Sequence, residues 1–378
     1  MRIAIDARSL TTRPTGIGHY QMAAVNVWSA QRPDIDFVLL AHKPLHEAAA
    51  PALRRAANVR FHACPPPLLP RNGVWWFLWT FERAARRLAA THLWGAGGQL
   101  PLVRHRRTTR LLTVHDLVWR SLPGTMSLRS RLAYGLFAGP SIRTADLIWA
   151  VSHHTAHEVE RHYPRRRSRG FVVGSGLNPL RVRFDPGAAE LAAIAGRYRV
   201  TPRTLLFVGT LEPRKNLRFL LSLMPELARL GCDLLVVGCS GWGRSDLAAT
   251  IAQPGFPRDA VRFCDYVSEP DLQGLYRVVA FFVSTSLLEG FGLPHLEAMS
   301  CGCPVIAAAN SAVVEVVGRG GVLIEGWNAA EWTDRIAAAF ERRDALSAAA
   351  LESAQRHSIE TACRAVSSAL EAGTPVVA

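Results

Sequence analysis

The sequence predicts an α/β protein with two domains, each built on a doubly wound parallel β-sheet that is covered by helices. The chain has 378 residues, of which 49% are hydrophobic and 20% charged. This is enough apolar material for large cores, but the chain is too long for a single core. Short apolar runs alternate with longer helical stretches, once before about residue 170 and again after about residue 200. Such alternation is typical of parallel sheets.

Nine short runs rich in Val, Ile, Leu and Phe are predicted to be buried strands. They are Met1–Asp6, Phe37–Leu40, Leu111–His115, Leu147–Val151, Leu205–Val208, Leu234–Val237, Val261–Cys264, Phe281–Ser284 and Val305–Ala308. Helical spacing predicts helices over Asn216–Leu230 and Asp271–Val279, and one amphipathic stretch over about Ala345–Glu371.

A glycine- and proline-rich segment marks the boundary between the domains. The charged loop Arg161–Gly170 precedes Val172–Pro202, which holds four glycines and three prolines. We therefore expect an N-terminal domain over residues 1–172 and a C-terminal domain over residues 173–354. The C-terminal helix, about residues 355–378, could cap the second domain or cross back to the first.

Cysteine and histidine usage predicts neither disulfides nor a metal site. The seven cysteines are odd in number and scattered, without a CxxC pair, so we interpret them as reduced thiols. His153, His154 and His157 have a spacing that could suit a metal, but no matching fourth ligand is evident. A solvated helix face is the favoured interpretation.

The excess positive charge lies entirely in the first half of the chain. Residues 1–170 carry 25 Lys plus Arg against 9 Asp plus Glu, a net charge of +16, whereas residues 171–378 carry 19 against 21, a net charge of −2. A basic half attracts anionic partners such as phosphates or lipid headgroups. No apolar run reaches the roughly 18–20 residues that span a bilayer, and no secretory signal is recognisable. We expect a cytoplasmic protein, with peripheral contact at the inner membrane's cytoplasmic face.

The segment Ser286–Ala308 combines two glutamates with a glycine loop and a helix start. Backbone amides of Gly292 and Leu293 at that helix start can hold a phosphate. Glu297 lies one turn further on, where its carboxylate can accept the hydroxyls of a ribose, and Glu289 on the loop can reach the group beyond the phosphates. A single glutamate there could simply pair with the helix dipole. Two of them around the EGFG loop favour a binding site.

The segment Leu205–Leu217 places a basic pair after a buried strand. Gly209 ends the strand, and Arg214 and Lys215 precede a helix at the edge where ligands bind in open α/β sheets. The pair suits a diphosphate, although it could be an ordinary solvated pair. Because the helix dipole disfavours cations at a helix start, we expect an anionic group beside them.

In the first half, Arg13–Val25 follows the opening strand and contains Gly16 and Gly18. Gln21 stands where the GxGxxG fingerprint needs its third glycine, which argues against a dehydrogenase. We interpret the loop as a flexible turn that approaches a phosphate. The motif TVHDL ends another strand and places His115 at the rim of the sheet, where it could be either structural or functional.

Aromatic and basic residues occur together between the first strands. Val74–Phe81 has the sequence VWWFLWTF, and arginines follow at positions 83, 86, 87, 104, 106, 107 and 110. This pattern suits a membrane interface or a lipid-phosphate acceptor. It would also suit single-stranded nucleic acid, but no module of that kind is recognisable, so we expect no nucleic-acid partner. A buried helix with a basic outer face is an equal alternative.

Together, the motifs EGFGLPHLEAMSCGCPVIAA, VGTLEPRKNL, TGIGHY, TVHDL and SAVVEVVG closely resemble family 4 of the retaining glycosyltransferases, which have the GT-B fold. The likeness runs from the first strand to about Gly321 and is strongest in the second half. Within that family the layout is most similar to bacterial mannosyltransferases that build O-antigens and exopolysaccharides.

The resemblance implies a nucleotide-sugar donor bound between two facing domains, and a reaction without a metal ion or other cofactor. By this likeness, Glu297 would hold the nucleotide ribose and Glu289 the hydroxyls of the donor sugar. Arg214 and Lys215 would stabilise the departing nucleoside diphosphate in place of a metal ion. His115 would touch the donor sugar.

Backbone contacts follow from the same resemblance. Amides of Phe291, Gly292 and Leu293 would contact sugar and phosphate, and the loop from Gly16 to Gly18 would close over the phosphates.

The expected function is transfer of mannose from GDP-mannose, with retained anomeric configuration, to a lipid-linked or oligosaccharide acceptor in bacterial lipopolysaccharide synthesis. One alternative is a UDP-sugar-dependent transferase, or a phosphorylase or synthase, that acts on a soluble acceptor. Another is a non-catalytic nucleotide-binding protein.

Overall fold

The computed structural model describes residues 1–53, 56–64, 76–102, 108–168, 170–177, 186–239 and 247–372. The chain forms two compact units. Unit 1 comprises Met1–Ser121, Leu128–Asn178 and Ser358–Ala378, and unit 2 comprises Leu122–Ser127 and Pro179–His357.

Unit 1 contains a seven-stranded parallel sheet. Its strands are β1 (Arg2–Asp6), β2 (Asp36–Ala41), β3 (Val59–Ala63), β4 (His92–Gly95), β5 (Thr109–Val114), β6 (Leu147–Ala150) and β7 (Phe171–Val173). The strand order is β3-β2-β1-β4-β5-β6-β7. The order therefore reverses between β1 and β4, the kind of position at which open parallel sheets bind ligands.

Helices of unit 1 precede and follow the helices of unit 2 along the chain. They are α1 (Gly16–Gln31), α2 (Ala50–Leu53), α3 (Phe81–Arg87), α4 (Val118–Ser121), α5 (Leu128–Thr144), α6 (His153–His162) and, last in the chain, α15 (Ile359–Ala372). Trp28, Trp94 and Trp149 are fully buried and pack on one another in the core. The indole nitrogen of Trp28 donates to Ser367 Oγ at 2.6 Å, which ties α15 to this core.

Unit 2 contains a six-stranded parallel sheet with the order β10-β9-β8-β11-β12-β13. Its strands are β8 (Thr204–Val208), β9 (Asp233–Val237), β10 (Val261–Cys264), β11 (Phe281–Ser284), β12 (Val305–Ala308) and β13 (Gly321–Ile324). Its helices are α7 (Ala188–Arg197), α8 (Leu217–Arg229), α9 (Leu247–Ile251), α10 (Glu269–Val278), α11 (Leu293–Ser300), α12 (Val313–Val317), α13 (Ala329–Ala339) and α14 (Arg343–Ala354). The order reverses between β8 and β11.

Two doubly wound parallel sheets are thus confirmed, and each of the nine predicted strands coincides with a strand of the structure. Strands β3, β4, β7 and β13 were not predicted. β3 has the sequence VRFHA, which alternates apolar with charged and polar side chains because it lies at the sheet edge, and β7 has only three residues.

The prediction of one continuous helical stretch over Ala345–Glu371 is wrong. The structure has two helices there, α14 and α15, which are separated by residues 355–358. Ser358 Oγ accepts a hydrogen bond from the amide of Thr361 at 3.2 Å, so it caps the start of α15. A serine cap of this kind favours a new helix start over continuation of the previous helix.

Candidate active site

In unit 2, two loops meet at the edge of the sheet where the strand order reverses. β8 and β11 are neighbours in the sheet, with Leu205 paired to Phe281. Because parallel strands end at the same edge, the loops that follow them start side by side. The loop after β8 carries Arg214 and Lys215, and the loop after β11 carries Glu289.

Hydrogen bonds join these two loops directly. The amide of Leu287 donates to the carbonyl oxygen of Arg214 at 2.8 Å. The hydroxyl of Thr285 donates to the carbonyl oxygen of Asn216 at 3.0 Å. Asn216 itself has a left-handed backbone (φ 50°), which ends the short turn Pro213–Lys215 before α8 begins. The basic pair is therefore held by the backbone as well as by its side-chain contacts.

A buried ion-pair network connects the basic pair with two glutamates. Lys215 Nζ lies 2.6 Å from Glu289 Oε1, and Arg214 Nη1 lies 3.0 Å from Glu289 Oε2. Arg214 also pairs with Glu212. Lys215, Glu212 and Glu289 are each no more than 9% exposed. An anionic group was expected beside the basic pair, and the structure places two there, Glu212 and Glu289. The two cations and two carboxylates make the network formally neutral.

The network determines the protonation state of Glu289. Burial alone would raise the pKa of this carboxyl, but the charges of Lys215 and Arg214 outweigh burial and hold the pKa well below its ordinary value of 4.5. Glu289 is therefore a carboxylate at any physiological pH. It can accept hydrogen bonds from sugar hydroxyls but cannot act as a proton donor.

The loop after β12 fixes the backbone of Glu289 from both sides. Ser311 Oγ accepts a hydrogen bond from the amide of Glu289 at 2.9 Å, and the amide of Ala312 donates to the carbonyl oxygen of Glu289 at 3.3 Å. Ser311 has φ 47°, in the left-handed region that a serine rarely adopts. The Ser311 hydroxyl also donates to Asn310 Oδ1 at 2.8 Å. A strained residue beside the ion-pair network is a feature typical of functional sites.

Gly292 forms the turn into α11, and only glycine fits there. Its φ is 95°, and a Cβ at this position would lie 2.7 Å from Nδ1 of His295. His295 is 1% exposed and packs edge-on against Phe282. Burial lowers the pKa of His295 to about 4, although the nearby charge of Glu289 opposes the shift. The imidazole is therefore neutral at pH 7. Leu293, directly after Gly292, is the first residue of α11.

Glu297 lies one turn into α11, as expected from the sequence. The hydroxyl of Tyr276, on α10, approaches its carboxylate at 3.4 Å. Tyr276 is buried and packs on Phe282. Phe291 is also buried, with its ring 5.7 Å from that of His357. The Tyr276 contact holds the Glu297 side chain at the same sheet edge as Glu289.

Gly209 lies at the end of β8, and its conformation depends on a second glycine. Gly209 has φ 154°, and a Cβ there would lie 3.4 Å from Lys215 Cε. Gly238, directly after β9, also has a positive φ of 155°, and a Cβ on it would lie 1.8 Å from the carbonyl oxygen of Gly209. Both glycines allow the two strand ends to approach closely, which brings Gly209 against the Lys215 side chain.

Four residues of this site were not identified from the sequence: Glu212, Gly238, His295 and Ser311. For Gly238 a signal was available, because a glycine directly after a predicted strand is typical of close backbone approach. For Glu212 a signal was also available, because an anionic group was expected beside Arg214 and Lys215 and Glu212 lies in the same LEPRKN loop. Ser311 begins the motif SAVVEVVG, but no local pattern shows its role, which depends on a contact with a segment 22 positions away.

Unit 1 brings its own candidate residues to the carboxyl edge of its sheet. Gly16 begins α1, and Gly18 lies in its first turn, where a Cβ would lie 3.0 Å from Pro14 Cβ. His115 Nε2 is 2.8 Å from the carbonyl oxygen of Ala96, and burial lowers the pKa of this imidazole. The neutral ring therefore donates through Nε2 and keeps Nδ1 as an acceptor.

A cavity of about 30 Å³ in unit 1 adjoins the His115 side chain. Its wall is largely apolar and includes Ile17, Trp119 and Tyr134, while Asp116 and the backbone of residues 97–98 add polar groups. Because Ile17 lies between Gly16 and Gly18, the cavity joins the glycine turn to the histidine.

Buried aromatic residues contradict part of the membrane interpretation of Val74–Phe81. Trp76, Phe77 and Phe81 are all at most 1% exposed, so these rings fill the core of unit 1 and cannot contact a bilayer. Arg110 is also buried. Residues 65–75 and 103–107, with three of the arginines in the pattern, lie outside the described residues. For the described aromatics, the alternative of a buried segment is correct.

The described parts of the chain contain no group of three or more His, Cys, Asp or Glu side chains that could hold a metal ion. No helix among them is long and apolar enough to cross a membrane. His153, His154 and His157 lie at the start of α6, which Ser152 caps by accepting a hydrogen bond from the amide of Thr155.

The part of the chain that carries this site is similar to known proteins. Residues 202–342 match the family model described as glycosyl transferases group 1. The chain is 32% identical over 228 residues to O-antigen chain mannosyltransferase B of Escherichia coli, with 58% of each chain covered. It is 31% identical over 295 residues to D-inositol 3-phosphate glycosyltransferase of Mycolicibacterium smegmatis, which covers 74% of this chain and 65% of that one. The alignments thus span less than two thirds of either relative.

Solved structures give the same class of fold. WaaG, a glycosyltransferase involved in lipopolysaccharide biosynthesis, superposes with a TM-score of 0.72 at 13% identity, covering 98% of this chain and 99% of that one. Anabaena HepE, in complex with UDP and glucose, superposes with a TM-score of 0.73 at 17% identity and the same coverage. The two parallel-sheet units therefore have the predicted GT-B class of fold. Residues 202–342 therefore form a domain of the glycosyl transferases group 1 family.

Proposed function

We propose that the protein is a retaining hexosyltransferase that transfers mannose from GDP-mannose to a lipid-linked saccharide acceptor. The observation that carries the proposal is the buried network in which Arg214 and Lys215 meet Glu289 at the sheet edge of the group 1 domain. Mannose and the polysaccharide setting are supported by the likeness to the O-antigen mannosyltransferase.

The basic pair would stabilise the leaving group. Glycosyl transfer passes through an oxocarbenium-like state in which negative charge grows on the departing diphosphate, so cations fixed at that charge contribute most to the rate. A diphosphate bound beside Arg214 and Lys215 would compete with Glu289 for these two cations. The Glu289 carboxylate could then accept hydrogen bonds from the sugar hydroxyls. Because the protein supplies two cations, we propose that no metal ion is needed.

Transfer breaks the bond between the anomeric carbon and the diphosphate oxygen and forms one to the acceptor oxygen on the same face. The leaving phosphate takes the acceptor's proton, so no side chain has to act as the base. Glu289, as a permanent carboxylate, would orient the sugar, and Glu297 would hold the ribose. The amides of Phe291, Gly292 and Leu293 would bind sugar and phosphate.

Unit 1 would bind the acceptor. His115 would contact the donor sugar, and the turn from Gly16 to Gly18 would cover the phosphates. We further propose that the protein acts at the cytoplasmic face of the inner membrane, because a lipid-linked acceptor resides there.

Thermal shift against GDP-, UDP-, ADP- and dTDP-sugars tests the donor, since selective binding to the folded state raises the melting temperature. We expect the largest shift with GDP-mannose. Transfer is then followed with GDP-mannose and an oligosaccharide acceptor in the presence of EDTA, and the anomeric configuration of the product is read by NMR. An inverted product, or activity that EDTA abolishes, would contradict the mechanism.

The second candidate is a UDP-sugar-dependent transferase with a soluble acceptor. HepE was solved with UDP and glucose, and the mycobacterial relative is named for inositol 3-phosphate. A dominant shift with UDP-glucose would favour this candidate. Absence of both transfer and donor hydrolysis, despite nucleotide binding, would indicate a non-catalytic protein.

A further inference from the structure

Helix α5 of unit 1 carries a row of exposed leucines. The residues Leu128, Leu132 and Leu136, here called the leucine row, are 65%, 57% and 63% exposed. Because they are spaced by four positions, they lie along one face of the helix. Large apolar side chains exposed in one contiguous row are typical of an interaction site, unlike the single exposed apolar residues of an ordinary surface.

Other residues of α5 are firmly packed. Ala138 and Ile142 are 1% exposed, and Ser141 Oγ accepts a hydrogen bond from the amide of Leu100 at 2.8 Å. Tyr134 stacks on Trp119, with ring centroids 5.2 Å apart. The helix is therefore fixed to unit 1 through a different set of residues, and the leucine row takes no part in that packing.

The surroundings of the leucine row are basic. Between Asp116 and Asp146 the sequence contains four arginines, at positions 120, 129, 131 and 143, and no aspartate or glutamate. Arg129 and Arg131 are exposed on the same two turns as the row. Neither forms an ion pair with any carboxylate in the described parts of the chain. Apolar and cationic side chains therefore occur together on an exposed helix.

We propose that the leucine row docks on the surface of an anionic lipid bilayer. Leucines enter the boundary between headgroups and acyl chains, while Arg129 and Arg131 meet lipid phosphates. The inference rests on the proposed function in one respect, since a lipid-linked acceptor requires the enzyme to work at a membrane. The membrane-contacting surface is then the leucine row and not the aromatic segment around Trp76, which is buried.

Charge favours lipid over a second copy of the chain. A two-fold interface through the leucine row would bring the same patch of both copies together. Arg129 and Arg131 would then face their own counterparts, and the stretch between Asp116 and Asp146 offers no carboxylate to compensate. An anionic bilayer has the complementary charge.

Co-sedimentation of the full chain with vesicles tests the proposal. Vesicles of phosphatidylglycerol with phosphatidylethanolamine are compared with vesicles of phosphatidylcholine alone at low salt. We expect the unaltered chain to bind the anionic vesicles, and the triple variant L128S/L132S/L136S to bind at least tenfold more weakly. Leu351→Ser is the matched control, because Leu351 is 45% exposed on a helix of unit 2. The variant R129Q/R131Q should lose the preference for anionic vesicles.

Equal vesicle binding by the triple variant, or no binding by the unaltered chain, would overturn the proposal. If the unaltered chain is a dimer by sedimentation velocity and the triple variant a monomer, the leucine row belongs to a second copy instead. Transfer to a water-soluble acceptor without vesicles separates this question from the proposed function. There the triple variant should match the unaltered chain, and absence of transfer in both would reject the function but leave the vesicle result standing.

Discussion

At the scale of single residues, the site depends on how buried charges are balanced. In the ion-pair network described above, Arg214 pairs with Glu212 and Glu289. Lys215 pairs there with Glu289. Lysine is a compact point charge on a flexible stem, so it can move from a carboxylate to a phosphate with little change elsewhere. Arginine, held through several contacts, is better suited to keep the two loops together.

Lys215→Ala should therefore lower turnover by about 10²–10³, the cost of losing one donor that stabilises developing charge. Arg214 still pairs with Glu289 in this variant, so we expect it to fold. Steady-state kinetics and circular dichroism measure the two effects. Arg229→Ala is the control, because Arg229 lies on α8 in an exposed pair with Glu226. Near-normal turnover in a folded Lys215→Ala protein would reject the role.

Ser311 provides a test of how the Glu289 backbone is held. Ser311→Ala removes the acceptor for the Glu289 amide, which should cost about 1–3 kcal/mol in the free energy of unfolding. Displacement of the carboxylate should lower turnover about tenfold, which corresponds to about 1.4 kcal/mol in the barrier. Ser311→Gly loses the same hydrogen bond but removes the left-handed strain, so its stability should fall by less.

Urea unfolding and turnover of both Ser311 variants decide the point. Ser347→Ala is the control, since Ser347 Oγ donates to the carbonyl oxygen of Gly302, away from the ion-pair network. It should lose stability but keep turnover. A Ser311→Ala protein that loses stability with unchanged turnover would show that the serine is structural only.

At the scale of elements, the turn between β11 and α11 needs both a left-handed residue and the absence of a side chain. Gly292→Ala would introduce backbone strain and also place a Cβ 2.7 Å from His295 Nδ1. We expect a loss of about 2–5 kcal/mol in unfolding free energy, from about 1–2 kcal/mol of strain and about 1–3 kcal/mol of overpacking. Donor binding should weaken because the helix start moves.

Gly255→Ala isolates the strain, because Gly255 also has a positive φ (79°) but has no atom within 4 Å of the added Cβ. The Gly255→Ala protein should lose only the strain contribution, about 1–2 kcal/mol of unfolding free energy, and should keep donor binding. Urea unfolding and thermal shift with the donor measure both properties. Equal losses in the two variants would show that the His295 contact contributes nothing.

Among the described residues, sequence patterns predicted eight of the nine inner strands but only β10 among the four edge strands. β11 and β12 were predicted to the residue because every side chain in them is buried and, apart from Ser284, apolar. β3 was missed because its exposed edge position permits Arg60 and His62. The break before α15 was missed because His357 and Ser358 do not interrupt the helical spacing around them. The break depends on the Ser358 cap, which only the fold reveals.

At the scale of the whole molecule, five described histidines share one electrostatic property. Burial lowers the pKa of each of them: His42, His92, His115, His295 and His357. Their ordinary pKa is 6.5, so the unfolded chain binds more protons than the folded one as the pH falls below that value. Stability must therefore decrease as the pH is lowered from about 6.5. Glu289 stays charged at the start of this range, because its pKa is held well below 4.5.

His295 should account for much of this dependence, since its folded pKa is about 4. A shift of that size corresponds to about 3 kcal/mol of unfolding free energy, fully present near pH 7 and lost by about pH 4. His295→Asn removes the titration, so its urea-unfolding free energy should fall less steeply between pH 7 and pH 4. His157→Asn, at an exposed position on α6, is the control. Parallel pH profiles for His295→Asn and the unaltered chain would contradict the assignment.

The sequence by itself determined the two-sheet class of fold, most of the buried strands, and which segments carry the basic pair and the two glutamates. Those features are local, because runs of apolar residues and short motifs specify them without reference to distant parts of the chain. Only the tertiary structure decided that Glu289 pairs with both Lys215 and Arg214, that Ser311 holds the Glu289 backbone, and that α15 packs in unit 1. Such contacts join segments far apart in the chain, and they depend on which strands become neighbours in the sheet.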